Sequence, residues 1–541
     1  MATHEVLNQP PPRGDQNLFT CDPALREALR REGAGGAERT AEEFGARVGS
    51  EEVRSWGVLA NRHPPELQTH DRYGHRRDEV TFHPAWHSLM QLSVGAGLHN
   101  LPWREARPGA HVARAALCMM ATQAEAGHLC PIAMTYAVVP VLRKQPELAA
   151  EWEPRIASTD YDSRFLPGAQ KRGALFGMAM TEKQGGSDVR ANTTRAQPVG
   201  SGGEYRLTGH KWFCSAPMCD GFLVLAQAPE GLSCFFLPRF LPDGTKNHFF
   251  LQRLKDKLGN RSNASSEVEF DNAWARLVGD PGRGVRTIID MVQHTRLDCV
   301  IGSTGLMRQA VSEVAHHVGH RAAFGRLLIE QPLMRNVLAD LCVESEAATL
   351  LMMRLARSYD DGPSAAPFRR LATAIAKYWI CKRTPPLVAE ALECLGGAGF
   401  VEESPLPRLY RESPLNSIWE GSGNVICLDV LRAVAKEPEV LEVVRAEIRL
   451  GIGADRRFDA AVAALDGAID RLGAHEDQAR RLVEALALAL QGSLLVRFGD
   501  RAVADAFCAT RLAGDGGRSF GTLPPGVDCG TILQRVYSWR Q

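Results

Sequence analysis

The sequence predicts an α+β protein: an N-terminal helical domain, a middle antiparallel β-barrel or sandwich, a C-terminal helical bundle and an extra C-terminal helical domain. Three observations carry that reading. A helical hydrophobic period flanks a stretch, about residues 173 to 283, that breaks into short aromatic and β-branched runs. The joints between those runs carry the Gly, Pro, Asp and Asn that hairpins and tight loops require. The last hundred residues differ in composition: from Leu441 to Gln541 there are 13 Arg, 13 acidic residues and no Lys.

Residues 1–60 read as an N-terminal arm and oligomerisation segment, because Pro10, Pro11 and Pro12 cannot occupy a helix interior. Residues 61–172 read as a helical domain. Within it, His111 to Gly127 has apolar residues at three- and four-residue steps, with Gly127 as the stop. Residues 173–283 hold about six short strands, ALFGMAM, YRLTGHKWFC, FLVLAQA, LSCFFLP, HFFLQRL and SEVEF. Across 284–440 the helical period returns through Val285, Ile288, Ile289, Val292, Leu297, Val300 and Ile301, then again from Pro332 and from Phe368, as in an antiparallel bundle. Residues 441–541 carry one more helical stripe, Phe458, Val462, Leu465, Ile469 and Leu472, and are expected to form a separate domain.

A length of 541 residues excludes a single small module and suggests roughly three to four domains. Hydrophobic residues at 45% and charged residues at 23% describe a globular chain. Lys plus Arg equal Asp plus Glu at 63 each, so nucleic acid would have to meet a local patch rather than a whole-chain field. The 13 scattered cysteines show no C-x-x-C, and the N-terminus lacks signal-peptide character, which points to a reducing, cytoplasmic setting. The most apolar stretch, Leu482 to Val496, contains Glu484 and Gln491 and is shorter than the roughly 20 residues that span a bilayer, so no membrane partner is expected.

Four segments offer chemistry. Met180 to Asp188 follows a strand and presents a Gly-Gly pair flanked by hydroxyls, suited to a cofactor edge or phosphate, or to an ordinary strand connection. Gly209 to Ser215 sets aromatic faces beside Ser215, either as core or as a cofactor wall. Leu395 to Phe400 ends a helix with glycines and lacks the spacing of a dinucleotide-binding turn. Ile418 to Asn424 places Glu420 after an apolar pair and before a Gly-rich turn, where a carboxylate can serve as a general base. Ser187 and Ser215 lie outside any G-x-S-x-G elbow, which argues against hydrolase chemistry. His316, His317 and His320 lack a third ligand of the right spacing; they read as a polar helix face, and no metal is expected.

Taken in order, these segments resemble the acyl-CoA dehydrogenase family of flavoproteins over about residues 80 to 440. Thr181-Glu-Lys-Gln-Gly-Gly-Ser-Asp188 is similar to the family's T-E-x-x-x-G-S-D loop, Gly209-His-Lys-Trp-Phe-Cys-Ser215 to its G-x-K-x-W-I-T strand, and Arg321-Ala-Ala-Phe-Gly325 to its R-x-x-F-G turn. Leu395 to Phe400 resembles L-G-G-x-G-[YF], and Ile418-Trp-Glu-Gly-Ser422 resembles I-Y-E-G-T. The resemblance implies FAD as cofactor and Glu420 as the catalytic base that takes a proton α to a thioester carbonyl. It implies that Met180 and Thr181 border the flavin pyrimidine, that Phe213 covers the ring, and that Ser215 replaces the Thr that hydrogen-bonds flavin N5. Ser187 belongs to the same cofactor set. Arg321, Phe324, Gly396 and Gly397 would reach the FAD of another subunit, and Ser422 and Asn424 would touch FAD near Glu420. That sharing implies a homotetramer, a dimer of dimers.

The chain departs from the family pattern at several positions. Thr295 stands where some members carry an alternative catalytic Glu, and Gln293 stands where an Asp binds the pantetheine arm. Glu393 replaces a Gln before L-G-G, Gln331 is displaced by one from an FAD-contacting Gln, and Trp419 replaces a Tyr beside the base. These changes imply an altered acyl pocket. The Asn8-Gln-Pro-Pro-Pro12 arm, the segment Leu254 to Ala264 and the C-terminal extension resemble the family's bacterial alkylation-response subgroup. That resemblance implies double-stranded DNA as a partner, held by a C-terminal patch whose candidates are Arg480, Arg481, Arg497, Arg501, Arg511 and Arg518. The competing expectation is a metabolic short- or branched-chain acyl-CoA dehydrogenase with no DNA role.

Overall fold

The computed structural model describes residues 3–200, 202–472 and 475–536. The chain divides into two units, one of Glu52–Ala106 with Glu125–Asp298, the other of Met1–Glu51, Arg107–Ala124 and Cys299–Gln541.

The first unit begins its strands earlier than the sequence suggests. Strands β1 (Glu66–His70) and β2 (Arg76–Thr81) pair antiparallel inside the segment expected to be helical. Local turn chemistry accounts for this: the Asp71 carboxylate accepts from the N–H of Tyr73 at 2.8 Å and of His75 at 2.9 Å, closing the chain around left-handed Gly74. A larger sheet follows. It contains β3 (Phe176–Ala179), β4 (Arg195–Val199), β5 (Glu204–Ser215), β6 (Gly221–Ala228), β7 (Gly231–Pro238), β8 (Phe249–Leu254) and β9 (Ser265–Val278).

The strand order is β3-β6-β4-β5-β9-β7, with β8 on β9, and a further β6–β7 pairing closes the path into a barrel. All six expected runs are strands. The seventh, β4 (RAQPV), carries Pro198 and polar residues that hide it from a hydrophobicity pattern. Because β3 and β4 both run parallel to β6, the barrel is mixed rather than purely antiparallel. The helix Leu129–Leu142 covers β3, and its Thr135 Oγ accepts from the Phe176 N–H at 2.9 Å.

The second unit is built around the helix Ala110–Ala124, all of whose residues are buried. A helix buried on every side is a core helix, and other helices enclose this one. Gly305 permits a close approach: a Cβ there would lie 2.7 Å from the Met119 carbonyl oxygen. Long helices at Pro332–Asp360 and Ala366–Cys394, with residues 299–318 of the helix Gly284–Val318, complete the expected bundle.

The last hundred residues belong to this same unit rather than to one of their own. Trp379 donates its indole N–H to Gln491 at 3.1 Å in the interior. Phe458, Val462, Leu465, Val483, Leu486 and Leu490 are buried. The composition shift has a packing reason: Arg511 pairs with Asp340 and Glu344, and Arg535 with Glu346 and Glu27, so several arginines answer acidic groups of the bundle and the first helix. The N-terminal arm packs along its own chain, where Arg13 pairs with Glu313 and the His316 Nε2–H donates to the Pro11 carbonyl at 2.8 Å. Among the described residues no helix is long and apolar enough to cross a membrane.

Candidate active site

The barrel joins two segments that the sequence keeps apart. Glu182, from the loop after β3, and Lys211, from the middle of β5, form an ion pair at 2.7 Å with neither side chain exposed. The Glu182 carboxylate also accepts from the N–H groups of Thr193 and Thr194, the Thr193 hydroxyl and the Gln184 amide, at 2.7 to 3.2 Å. Lys211 donates to the Leu225 carbonyl at 2.8 Å. Burial would raise the Glu182 carboxyl, but the Lys211 ammonium and the surrounding donors outweigh it and hold it at about 2. Burial draws the Lys211 ammonium down to about 8, with the Glu182 carboxylate opposing.

This pair clamps the loop that carries Thr181 and Ser187 onto the barrel. Neither partner was among the candidates, although strand parity held the signal: Lys211 shares its face with the buried Tyr205 and Leu207. Beyond Lys211 the parity breaks. Lys211 pairs with Val268 but Cys214 with Ser266, so β5 holds one extra residue there. That bulge turns Cys214 inward and leaves Phe213 48% exposed. Ser215 follows, its hydroxyl 3.3 Å from that of Ser265. The Thr181 carbonyl accepts from the Trp212 N–H at 2.8 Å, and the Met180 carbonyl from the Asn192 amide at 3.0 Å. Gly186 is required where it stands, since a Cβ would lie 2.5 Å from the Thr181 hydroxyl.

In the helical unit, Glu420 sits in the turn before the helix Gly423–Lys436 at φ +58°, followed by Gly421 at φ +107°. A non-glycine residue held left-handed costs about 1–3 kcal/mol, so its surroundings must impose it. Buried Lys377 donates to the Gly421 carbonyl, the Trp419 indole donates to Asn416 at 2.8 Å, and the Asn416 amide donates to Ser303 at 3.2 Å. On the other side of the turn, exposed Ser422 precedes Asn424, whose side-chain oxygen accepts from Arg480 Nε at 2.8 Å. A residue expected to face DNA therefore meets one expected to face FAD.

Phe324 and Gly325, both left-handed, form the tip of a two-residue hairpin turn, and Phe324 is 99% exposed. The hairpin is tied to the N-terminal arm. The Asn8 side chain donates to the Ala322 carbonyl and accepts from its N–H, each at 2.8 Å, and Arg321 donates to the Asn8 carbonyl at 2.6 Å. Gly396 and Gly397 are exposed, Gly396 at φ +60°, and a Cβ on either would meet nothing within 4 Å. The donor chemistry suits a flavin dinucleotide. The barrel offers an exposed phenyl face with the hydroxyls of Thr181, Ser187 and Ser215. The helical unit offers a guanidinium, a bare phenyl ring and a glycine turn open to phosphate or adenine.

The remaining expectations fall out unevenly. Thr295 is buried and its hydroxyl donates back to helix carbonyls at Met291 and Val292, so that position supplies no carboxylate. Arg481, Arg501 and Arg518 are exposed. Arg497 is held by Glu447 at 2.9 Å and lies over the Phe498 ring, and Arg511 is fixed between Asp340 and Glu344. Both are withdrawn from the phosphate-facing candidates because their charge is already answered inside the fold. Among the described residues no group of three His, Cys, Asp or Glu is placed to hold a metal.

A closed barrel bearing the Glu182–Lys211 clamp, joined in sequence to a bundle bearing a Trp-Glu-Gly turn, defines an acyl-CoA dehydrogenase-type flavoprotein. The chain belongs to the acyl-CoA dehydrogenase family, whose members are FAD-dependent oxidoreductases: residues 177–273 match the family's middle domain and 282–435 its C-terminal domain. Residues 8–163 match the N-terminal domain of the adaptive response protein AidB. AidB of Escherichia coli (strain K12) is 50% identical over 519 residues, covering 95% of each chain. Acyl-CoA dehydrogenase family member 11 of Caenorhabditis elegans is 32% identical over 421 residues, 74% of this chain and 67% of its own. The crystal structure of Caenorhabditis elegans ACDH-11 in complex with C11-CoA matches with a TM-score of 0.85 at 28% identity, covering 95% of this chain and 93% of that one.

Proposed function

We propose that this chain is an FAD-binding, AidB-type flavoprotein of the alkylation response. In this reading it binds double-stranded DNA through its C-terminal region, protects it from alkylating agents, and retains acyl-CoA dehydrogenase chemistry. The observation that carries the reading is the 50% identity to AidB over 95% of both chains, N-terminal arm and C-terminal helices included. Bound FAD supplies the acceptor for a hydride from the substrate β carbon. Glu420 takes the α proton, Trp419 crowds the pocket beside it, and Phe213, Thr181 and Ser215 hold the flavin ring. The complex of ACDH-11 with C11-CoA supports a thioester as the substrate class. Arg321, Phe324, Gly396 and Gly397 serve FAD across a subunit boundary in a homotetramer.

Two measurements test this. The yellow protein should release a cofactor that runs as FAD on chromatography; FMN, or a protein colourless after reconstitution with FAD, overturns the flavin assignment. Duplex DNA should bind without sequence preference and with affinity that falls steeply with salt, because phosphate counterions are released. Reversing Arg481, Arg501 and Arg518 together to Glu should weaken duplex binding at least about tenfold and leave FAD content unchanged. Unchanged affinity in that variant removes the C-terminal patch, whereas a wild-type protein that binds no duplex DNA favours a metabolic dehydrogenase.

A further inference from the structure

The loop 255–264 joins β8 to β9, the strand that pairs with β5. Lys255 there is paired with Glu267 at 2.6 Å, and its ammonium stands 3.0 Å from the Trp212 ring centroid. Two residues on, half-buried Lys257 takes a different role. Its ammonium donates to the Asn263 carbonyl at 2.6 Å and to the Ser265 hydroxyl at 2.9 Å. Ser265, buried, is the direct cross-strand partner of Ser215, the two hydroxyl oxygens 3.3 Å apart.

One bond of this chain has a fixed direction. An ammonium is a donor only, so Ser265 must accept from Lys257. The Ser265 proton is then available to Ser215, and with that bond made the Ser215 proton is available to whatever lies beyond. The loop is anchored inside the barrel unit. The Ser262 hydroxyl donates to Glu125 at 2.8 Å, and the same carboxylate accepts from the His128 ring at 2.9 Å and from the N–H groups of Gly127 and His128 at 2.8 Å. A Cβ at Gly127 would lie 2.1 Å from the Ser262 hydroxyl, so glycine is what lets the loop seat. Lys257 is thereby held by a rigid base.

We propose that Lys257 is a positioning residue for the flavin: acting through Ser265, it aims the Ser215 hydroxyl as a donor at the N5 edge of bound FAD and favours the electron-richer form of the cofactor. This rests on the reading above that Ser215 meets N5. A donor chain that ends in a cation polarises each hydroxyl toward the next, and a half-buried charge is less screened than a surface one.

The experiment measures the flavin midpoint potential and FAD content of the holoprotein for the wild type, Lys257→Met, Lys257→Arg and Ser265→Ala. Lys257→Met should keep its FAD and shift the oxidised-to-reduced ratio about tenfold toward oxidised, about 30 mV for a two-electron couple. Ser265→Ala, which keeps the ammonium but cuts the relay, should move the potential the same way, and Lys257→Arg should restore most of it. An FAD-loaded Lys257→Met variant with the wild-type potential, even if less stable, shows a merely structural lysine and overturns the proposal. Should Lys257→Met fail to fold, an unshifted potential in Ser265→Ala overturns it equally. A wild-type protein that takes up no FAD overturns the flavin reading itself, and this inference with it.

Discussion

Glu420→Gln should keep its FAD and lose about two to four orders of magnitude in the anaerobic rate at which an acyl-CoA bleaches the flavin, the usual loss when a general base is removed. The argument is one of availability and geometry. At the family's alternative position stands Thr295, whose hydroxyl is spent on its own helix. Glu420 is carried on a left-handed turn that Lys377 and the Trp419–Asn416–Ser303 chain hold in place. Glutamine preserves size and the same backbone, so the variant isolates the charge. Stopped-flow absorbance across an acyl-CoA panel is the measurement, with duplex DNA present and absent. Bleaching at the wild-type rate would make Glu420 structural and move the base elsewhere.

The second large effect is on stability. Removing one partner of a buried pair costs about 3–5 kcal/mol because the other charge is left without compensation. Glu182→Gln should incur most of that, since Lys211 would keep only neutral acceptors and lose its counter-charge. Lys211→Met should be milder, because the Glu182 carboxylate retains the Thr193, Thr194 and Gln184 donors. The double variant should be more stable than the sum of the two losses. Urea midpoints of the FAD-loaded proteins report all three. Glu182 has a folded pKa of about 2, below its ordinary value of 4.5. Its contribution is therefore fully present above about pH 4.5 and is lost as pH falls toward 2. The gap between wild type and Glu182→Gln should close over that same range. A gap that persists unchanged at pH 2 would show that the loss comes from packing rather than charge.

Much of the local turn structure around the candidate residues of the helical unit is legible in the sequence. Glu420, the Gly396-Gly397 turn and the Arg321–Gly325 hairpin all sit within contiguous motifs, and turn chemistry is local: left-handed positions gather at glycines and at the residue beside them. The β1–β2 hairpin is hidden although its Asp71–Gly74 turn is equally local, because helical pattern surrounds it on both sides. β4 was missed because a strand with Pro198 and polar side chains has no hydrophobic signature. The roles of the arginines were not legible at all. Arg481 and Arg511 are the same residue type in the same extension, yet one is exposed and the other sits between Asp340 and Glu344.

The order of the layers, six of the seven barrel strands and the candidate segments were readable from the chain, because hydrophobic period and turn residues act over a few positions. Which polar groups work together depends on the folded packing. Glu182 and Lys211 lie 29 residues apart, Lys377 and Gly421 lie 44 apart, and Asn8 reaches Ala322 across 314. Pairings at such separations depend on which surfaces pack, and packing is fixed by the whole fold closing at once. The bulge at Phe213 makes the same point on a small scale: one extra residue between Lys211 and Cys214 reverses strand parity and turns an aromatic ring outward, and its register is set by the partner strand β9.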